Sequence, residues 1–177
     1  MKKENVVSSQ MIFSGKILKL HVDTVCSSDG VKKTREIIDH SEAMVAVPVD
    51  AKGNILLVEQ FRLPTGKALL ELPAGGVEPG ENVEAAVRRE LQEEIGYSPK
   101  TVMRMTGFFS APGYSNEFLH LYLATELVPS RLTAEDTDEI KVIPTPVEKI
   151  SDLITSGKIC DAKTIAGLLF YLKFCKP

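Results

Sequence analysis

The segment LELPAGGVEPGENVEAAVRRELQEEIG, residues 70–96, constrains this chain more tightly than any other. Its first half, through Asn82, holds Pro73, Pro79, Gly75, Gly76 and Gly80, which is expected to prevent any regular element. Its second half, from Val83 to Ile95, consists of good helix formers and stops at Gly96, a natural residue just past a helix C-terminus. A loop, a helix and a second loop are predicted. Val83, Val87, Leu91 and Ile95 recur at steps of four and form an apolar stripe for docking on a sheet. Glu90, Glu93 and Glu94 stand at i, i+3 and i+4, so they project from one face of a single turn. Seven glutamates against two arginines between Glu71 and Glu94 give a local charge of -5 in a chain whose total is -3. Like charges at this spacing destabilise a helix by a few tenths of a kcal/mol, more where water is excluded, so the cluster calls for a cation. Carboxylate oxygens favour Mg2+, Mn2+ or Ca2+ over zinc. A solvated acidic helix face is the alternative, and the glycines just before the helix, which let backbone approach a ligand closely, argue against it.

The remaining sequence reads as one domain of ordinary size with a small N-terminal appendage. With 177 residues, 44% of them hydrophobic, the chain is able to bury a proper core. A charged fraction of 25% and a net negative charge exclude the basic footprint of a DNA or RNA binder. The first residues lack the apolar run of a secretory signal and no segment reaches transmembrane length, so no membrane association and a cytoplasmic location are expected. Cys26, Cys160 and Cys175 are odd in number and widely spaced, which suggests neither disulfides nor zinc, but buried or incidental thiols.

Residues 11–61 read as antiparallel strands separated by turns at Ser28-Asp29-Gly30 and Lys52-Gly53-Asn54. TVMRMTGFFS and NEFLHLYLATEL are two further strands around Ala111-Pro112-Gly113-Tyr114, and two helices close the chain. The last helix is expected to bury Ile165, Leu168, Leu169 and Leu172. His21, His40 and His120 lie in unrelated segments without ligand spacing and are assigned structural roles.

The pattern Gly75-x5-Glu81-x7-Arg89-Glu90-Leu91-x-Glu93-Glu94-x-Gly96-Tyr97 resembles the Nudix box, with Tyr97 departing from its aliphatic last position. Seven fixed positions, each at roughly 7% usage, coincide by chance about once in 10^8 starting points. The resemblance implies an α+β fold, a Nudix αβα sandwich with a mixed sheet and a β-rich N-terminal extension. Residues 1–42 would be that extension, through which related enzymes dimerise, and residues 43–177 the hydrolase domain.

For the site, the resemblance implies Glu90, Glu94 and the carbonyl of Ala74 as metal ligands, with Glu93 supporting the metal cluster. Glu81 and Arg89 look like the pair that orients these glutamates. Mg2+ is the implied cofactor, with Mn2+ as a substitute. A diphosphate is anionic and a bare glutamate cluster repels it; a divalent cation reverses that sign.

Outside the box, Glu71-Leu72-Pro73-Ala74-Gly75 and Pro112, fifteen residues beyond Tyr97, resemble ADP-ribose pyrophosphatases. By that likeness Arg62 contacts substrate phosphates, or else forms a surface salt bridge. Glu71 hydrogen-bonds the nucleoside or caps the loop. Pro112 and Gly113 belong to the substrate side, and Glu117 touches the terminal ribose or is an ordinary strand-start residue. Related enzymes carry a catalytic glutamate where this chain has Asp136 and Asp138; Glu135, Glu139 and Glu93 are the alternatives for the general base.

The expected activity is Mg2+-dependent hydrolysis of ADP-ribose or a related ADP-sugar to AMP and a sugar phosphate, by a homodimer acting on a small nucleoside diphosphate substrate. Two other readings keep the resemblance: cleavage of a GDP-sugar, NADH or an oxidised nucleotide, and nucleotide sensing without catalysis.

Overall fold

The computed structural model describes residues 3–134 and 139–175, so the expectations for Asp136 and Asp138 lie outside the described residues. The chain forms two units, residues 1–42 with 109–118 and residues 43–108 with 119–177.

The first unit is an antiparallel sheet of β1 (Glu4–Ser14), β2 (Leu18–Ser27) and β3 (Lys32–His40), in that order. Gly30, at φ 80°, closes the β2–β3 turn, where its N–H donates to the Ser27 carbonyl at 2.9 Å. Such a backbone angle favours glycine. Strand β1 begins seven residues before the expected Met11 and is exposed along its whole length. Without a buried face it has no alternation for a sequence reading to detect. Segment 109–118 is stitched to β3 by Asn116, whose Oδ1 accepts the His40 N–H at 2.9 Å and whose Nδ2 donates to Asp39 at 2.8 Å.

The second unit is an αβα sandwich. One sheet has the order β7 (Ala74–Gly76), β4 (Ala43–Pro48), β9 (Phe118–Pro129), β8 (Tyr97–Phe109), and the other the order β10 (Lys141–Pro146), β5 (Asn54–Arg62), β6 (Lys67–Glu71). The expectation of antiparallel strands throughout the first third fails at β4, which pairs in parallel with β9 and antiparallel with β7. Both faces of β4 are covered, so it reads as an unbroken apolar run rather than an alternating one. Val45 and Val47 enter the core beneath α2 (Ile150–Thr155) and α3 (Ala162–Phe170); Met44 and Ala46 enter the core beneath α1 (Val83–Glu94). β5 divides in the same way, Ile55 and Leu57 to one side and Leu56 and Val58 to the other. Each of these side chains larger than alanine, fully buried, contributes about 1.5–3 kcal/mol.

Helix α1 buries the stripe read from the sequence: Val87, Leu91 and Ile95 are buried and Val83 packs against them. Asn82 caps it by accepting the Glu84 N–H at 2.8 Å, and Gly96 follows at φ 75°. In α3 and the residues just after it the expected stripe fails at one position only, Ile165 and Leu172 packing against the core as expected. Leu168 is buried, but Leu169 is 48% exposed, and Thr164, Gly167 and Tyr171 take the inner face. Gly167 lets the helix approach closely: a Cβ there would lie 2.7 Å from Leu72 Cδ1 and 3.0 Å from Leu121 Cδ1, so a larger residue would force these two side chains to move.

The proline- and glycine-rich segment is not free of regular structure, as expected, but enters the sheets at both ends. β6 runs to Glu71, and the three-residue β7 pairs Ala74 with Val45. Pro73 separates them, its carbonyl accepting the Ala46 N–H at 3.0 Å. An edge strand this short tolerates glycine because only one side of it is paired. Among the described residues no helix is long and apolar enough to cross a membrane. The three cysteines are free, and Cys160 is exposed rather than buried.

Candidate active site

The C-terminal turns of α1 bring Glu90 and Glu94 against β7. A Cβ on Gly75 would stand 2.0 Å from the Glu90 carboxyl carbon, so the missing side chain is the space that this carboxylate occupies. One residue earlier, the Ala74 N–H donates to Glu94 Oε2 at 3.1 Å. Glu94 is only 6% exposed. Burial, with the like charge of Glu90 adding to it, pushes the Glu94 carboxyl up to about 8; the Ala74 N–H and the charges of Arg62 and Lys163 pull the other way. Burial also raises Glu90, against the attraction of Arg89.

Arg89 is the hub of a fan on the outer side. Nε and Nη2 donate to the two Glu81 oxygens at 3.0 Å each, in the two-pronged geometry a guanidinium favours. Nη1 reaches Glu90 at 2.7 Å and Glu93 at 3.2 Å, and Nη2 also donates to the Gly76 carbonyl at 2.9 Å. Glu81 is fixed further by the Glu78 N–H at 3.0 Å, and Arg89 holds its carboxyl below the usual range. Arg89 thus ties the loop, Glu90 and Glu93 together. Glu93 faces Arg89, and among the described residues no three acidic, His or Cys side chains converge as a ready metal cluster.

The residues nonetheless fit a hard divalent cation. Glu90 and Glu94, both raised in pKa by burial, offer carboxylate oxygens from α1 beside β7, whose backbone is within reach at Ala74 and Gly75. A buried like-charged pair is stabilised by a cation or by protonation, and oxygen donors select the Mg2+ class.

A second charged array adjoins the first. Arg62, at the end of β5, forks onto Glu71, at the end of β6, with Nε to Oε1 and Nη2 to Oε2 both 2.8 Å. Glu71 is 1% exposed and also binds Lys163, which donates to Asp161 at 2.8 Å. Burial pushes the Glu71 carboxyl up, but Arg62 and Lys163 together outweigh it and hold the group below the usual range. Neither Lys163 nor Asp161 was singled out in the sequence, where 92 residues separate Lys163 from Glu71. Asp161 and Thr164 carry a helix-start signal, but no local pattern links that turn to β6.

A profile of the NUDIX domain matches residues 39–168. The chain belongs to the Nudix family. This Nudix chain is 35% identical to the ADP-ribose pyrophosphatase of Bacillus subtilis (strain 168), over 95% of this chain and 92% of that protein. It is 33% identical to the methanol dehydrogenase activator of Bacillus methanolicus, with the same coverage of 95% and 92%. In fold it superimposes on a crystal structure of an ADP compounds hydrolase with a TM-score of 0.89 at 20% identity, covering 97% of this chain and 94% of that one.

Of the expected Nudix site residues, the second unit brings together Arg62, Glu71, Ala74, Glu81, Arg89, Glu90, Glu93 and Glu94. Pro112, Gly113 and Glu117 belong to the first unit. There Pro112 and Gly113 border a depression of about 320 Å³ shared with Asp23 and Arg35, and Glu117 lies 3.4 Å from His40 Nδ1. His21, assigned a structural role, is held between Asp23 at 2.8 Å and Asp39 at 3.4 Å.

Proposed function

We propose that this Nudix hydrolase cleaves the diphosphate bond of ADP-ribose or a related ADP-sugar, giving AMP and a sugar phosphate, with Mg2+ as cofactor and Mn2+ as its substitute. The observation that carries the reading is the pair of buried Glu94 and partly buried Glu90 seated on Ala74 and Gly75, with Arg62 charged nearby. The likeness to a protein named ADP-ribose pyrophosphatase supports the choice of substrate. Glu90, Glu94 and Ala74 would hold the cation, which offsets the diphosphate charge and polarises a phosphoryl oxygen.

This chain's residues supply the rest. Arg62 spends Nε and Nη2 on Glu71, so its Nη1 edge is oriented for a phosphate oxygen. Arg89, fixed by Glu81, keeps Glu90 against the loop. Water attacks one phosphorus, the bond from that phosphorus to an oxygen breaks, and the leaving phosphate departs with that oxygen. The water proton passes to a carboxylate, for which Glu93, Asp136 and Asp138 are proposed. Pro112, Gly113 and Glu117 are proposed substrate contacts.

We further propose a cytoplasmic homodimer in which residues 1–42 are the dimerising extension and residues 43–177 the catalytic domain. The support is β1, where Val6, Val7, Met11, Ile12 and Phe13 are each more than half exposed. The substrate reading is tested with a panel of ADP-ribose, a GDP-sugar, NADH and an oxidised nucleotide in Mg2+, products being separated by ion-exchange chromatography. Fast release of AMP from ADP-ribose is expected. Rapid turnover of another compound with none of ADP-ribose ends the substrate assignment, and tight ADP-ribose binding without any product favours a sensing role.

A further inference from the structure

We propose that Lys163 is a positioning residue for the anionic substrate: by sharing the charge of buried Glu71, it leaves the charge and open edge of Arg62 to the diphosphate. The inference rests on the diphosphate reading above. Four charges alternate in a row, Arg62, Glu71, Lys163 and Asp161. Asp161 is satisfied locally, since it caps α3 and accepts from the Thr164 N–H at 3.0 Å and the Thr164 hydroxyl at 2.6 Å, besides Lys163. The helix N-terminus therefore compensates part of its charge. Glu71 is left between two cations. Its side chain is 2% exposed, that of Lys163 15% and that of Arg62 39%, so the row opens outward at Arg62.

The arrangement has an electrostatic consequence. An isolated Arg62–Glu71 pair is neutral and attracts an anion weakly, because the carboxylate cancels the guanidinium. With Lys163 bonded to the same carboxylate oxygen as Arg62 Nη2, that cancellation is divided between two cations. Arg62 then keeps more of its positive charge than it would in an isolated pair, and its position is still fixed by the two-pronged contact. The charges of Arg62 and Lys163 both reach Glu94, so this positive end lies beside the acidic pair. Thr164 anchors the same turn of α3 by accepting the Leu72 N–H at 2.8 Å, which fixes Lys163 relative to Glu71.

Steady-state kinetics on Lys163→Met, Lys163→Arg, Glu71→Gln and the Glu71→Gln/Lys163→Met double variant test this, with whichever diphosphate the wild type cleaves fastest. Lys163→Met should raise KM about tenfold with kcat within about twofold, the signature of lost uniform binding. Lys163→Arg should restore KM, and Lys163→Met should add nothing in the Glu71→Gln background, where no carboxylate charge remains to be shared. An unchanged KM in Lys163→Met overturns the proposal, as does an equal effect in both backgrounds. If circular dichroism shows Lys163→Met unfolded, Glu71→Gln is compared with the double variant, and a KM difference between them overturns it. Calorimetry with inorganic pyrophosphate in metal-free buffer separates the two levels. Binding that weakens in Lys163→Met, by a wild type that cleaves no member of the panel, refutes the hydrolase reading and sustains the role of Lys163.

Discussion

Glu94 stores a conflict between burial and charge. Its carboxyl is pushed up to about 8 by burial and by Glu90, so the charged form is the disfavoured one without a cation. Glu94→Gln is therefore expected to abolish most of the rate while leaving the metal-free protein at least as heat-stable as wild type. The rise in melting temperature on adding Mg2+ should shrink in the variant; wild-type activity at saturating Mg2+ would remove Glu94 from the metal site. Glu71 behaves oppositely. Its folded pKa lies below the ordinary 4.5, so its stabilising contribution is present above that value and is lost as pH falls through the folded one. The stability gap between wild type and Glu71→Gln in urea should accordingly be constant well above pH 4.5 and narrow as the pH falls below it. A gap independent of pH would show that Glu71 is not held as a carboxylate. The glutamates of α1 were legible because they are local: their spacing within one turn is a statement about the sequence itself. Lys163 was not, because its meaning lies in a carboxylate far away along the chain.

At the level of elements, helices whose capping and periodicity agree are read correctly from sequence. Asn82 caps α1, the stripe from Val83 to Ile95 packs, and Gly96 ends it. Asn82→Ala should destabilise the protein by about 1 kcal/mol in urea unfolding, the usual worth of such a cap. A loss near zero would mean that packing alone fixes the start of the helix. Elements governed by partners elsewhere were misread. β7 is a strand only because β4 lies beside it, and along α3 and just past it the apolar period places Ile165, Leu168 and Leu172 correctly but not Leu169, since Gly167 sits in close contact with Leu72 and Leu121 on the inner face. β1 escaped detection in its first half because nothing covers it.

At the scale of the molecule, the αβα sandwich and its mixed sheet were legible only through the resemblance carried by the Glu81–Gly96 pattern, since the strands by themselves read as antiparallel, whereas β4, β5 and β9 each feed two cores. The association state was suggested by resemblance alone, and the exposed apolar residues of β1 give it a physical motive. Met11→Asp with Phe13→Asp should convert a dimer to a monomer in sedimentation velocity; a wild type already monomeric at micromolar concentration would refute the dimer. Finally, the contact between Glu71 and α3 carries an order of events. A ribosome delivers Glu71 long before Lys163, and until the last helix arrives that carboxylate has lost one of its two counter-ions and Leu72 the acceptor of its N–H. The charge array is thus complete only once α3 has been made, and a nascent chain cut short before Asp161 carries the catalytic helix without the charge balance that would ready it for substrate.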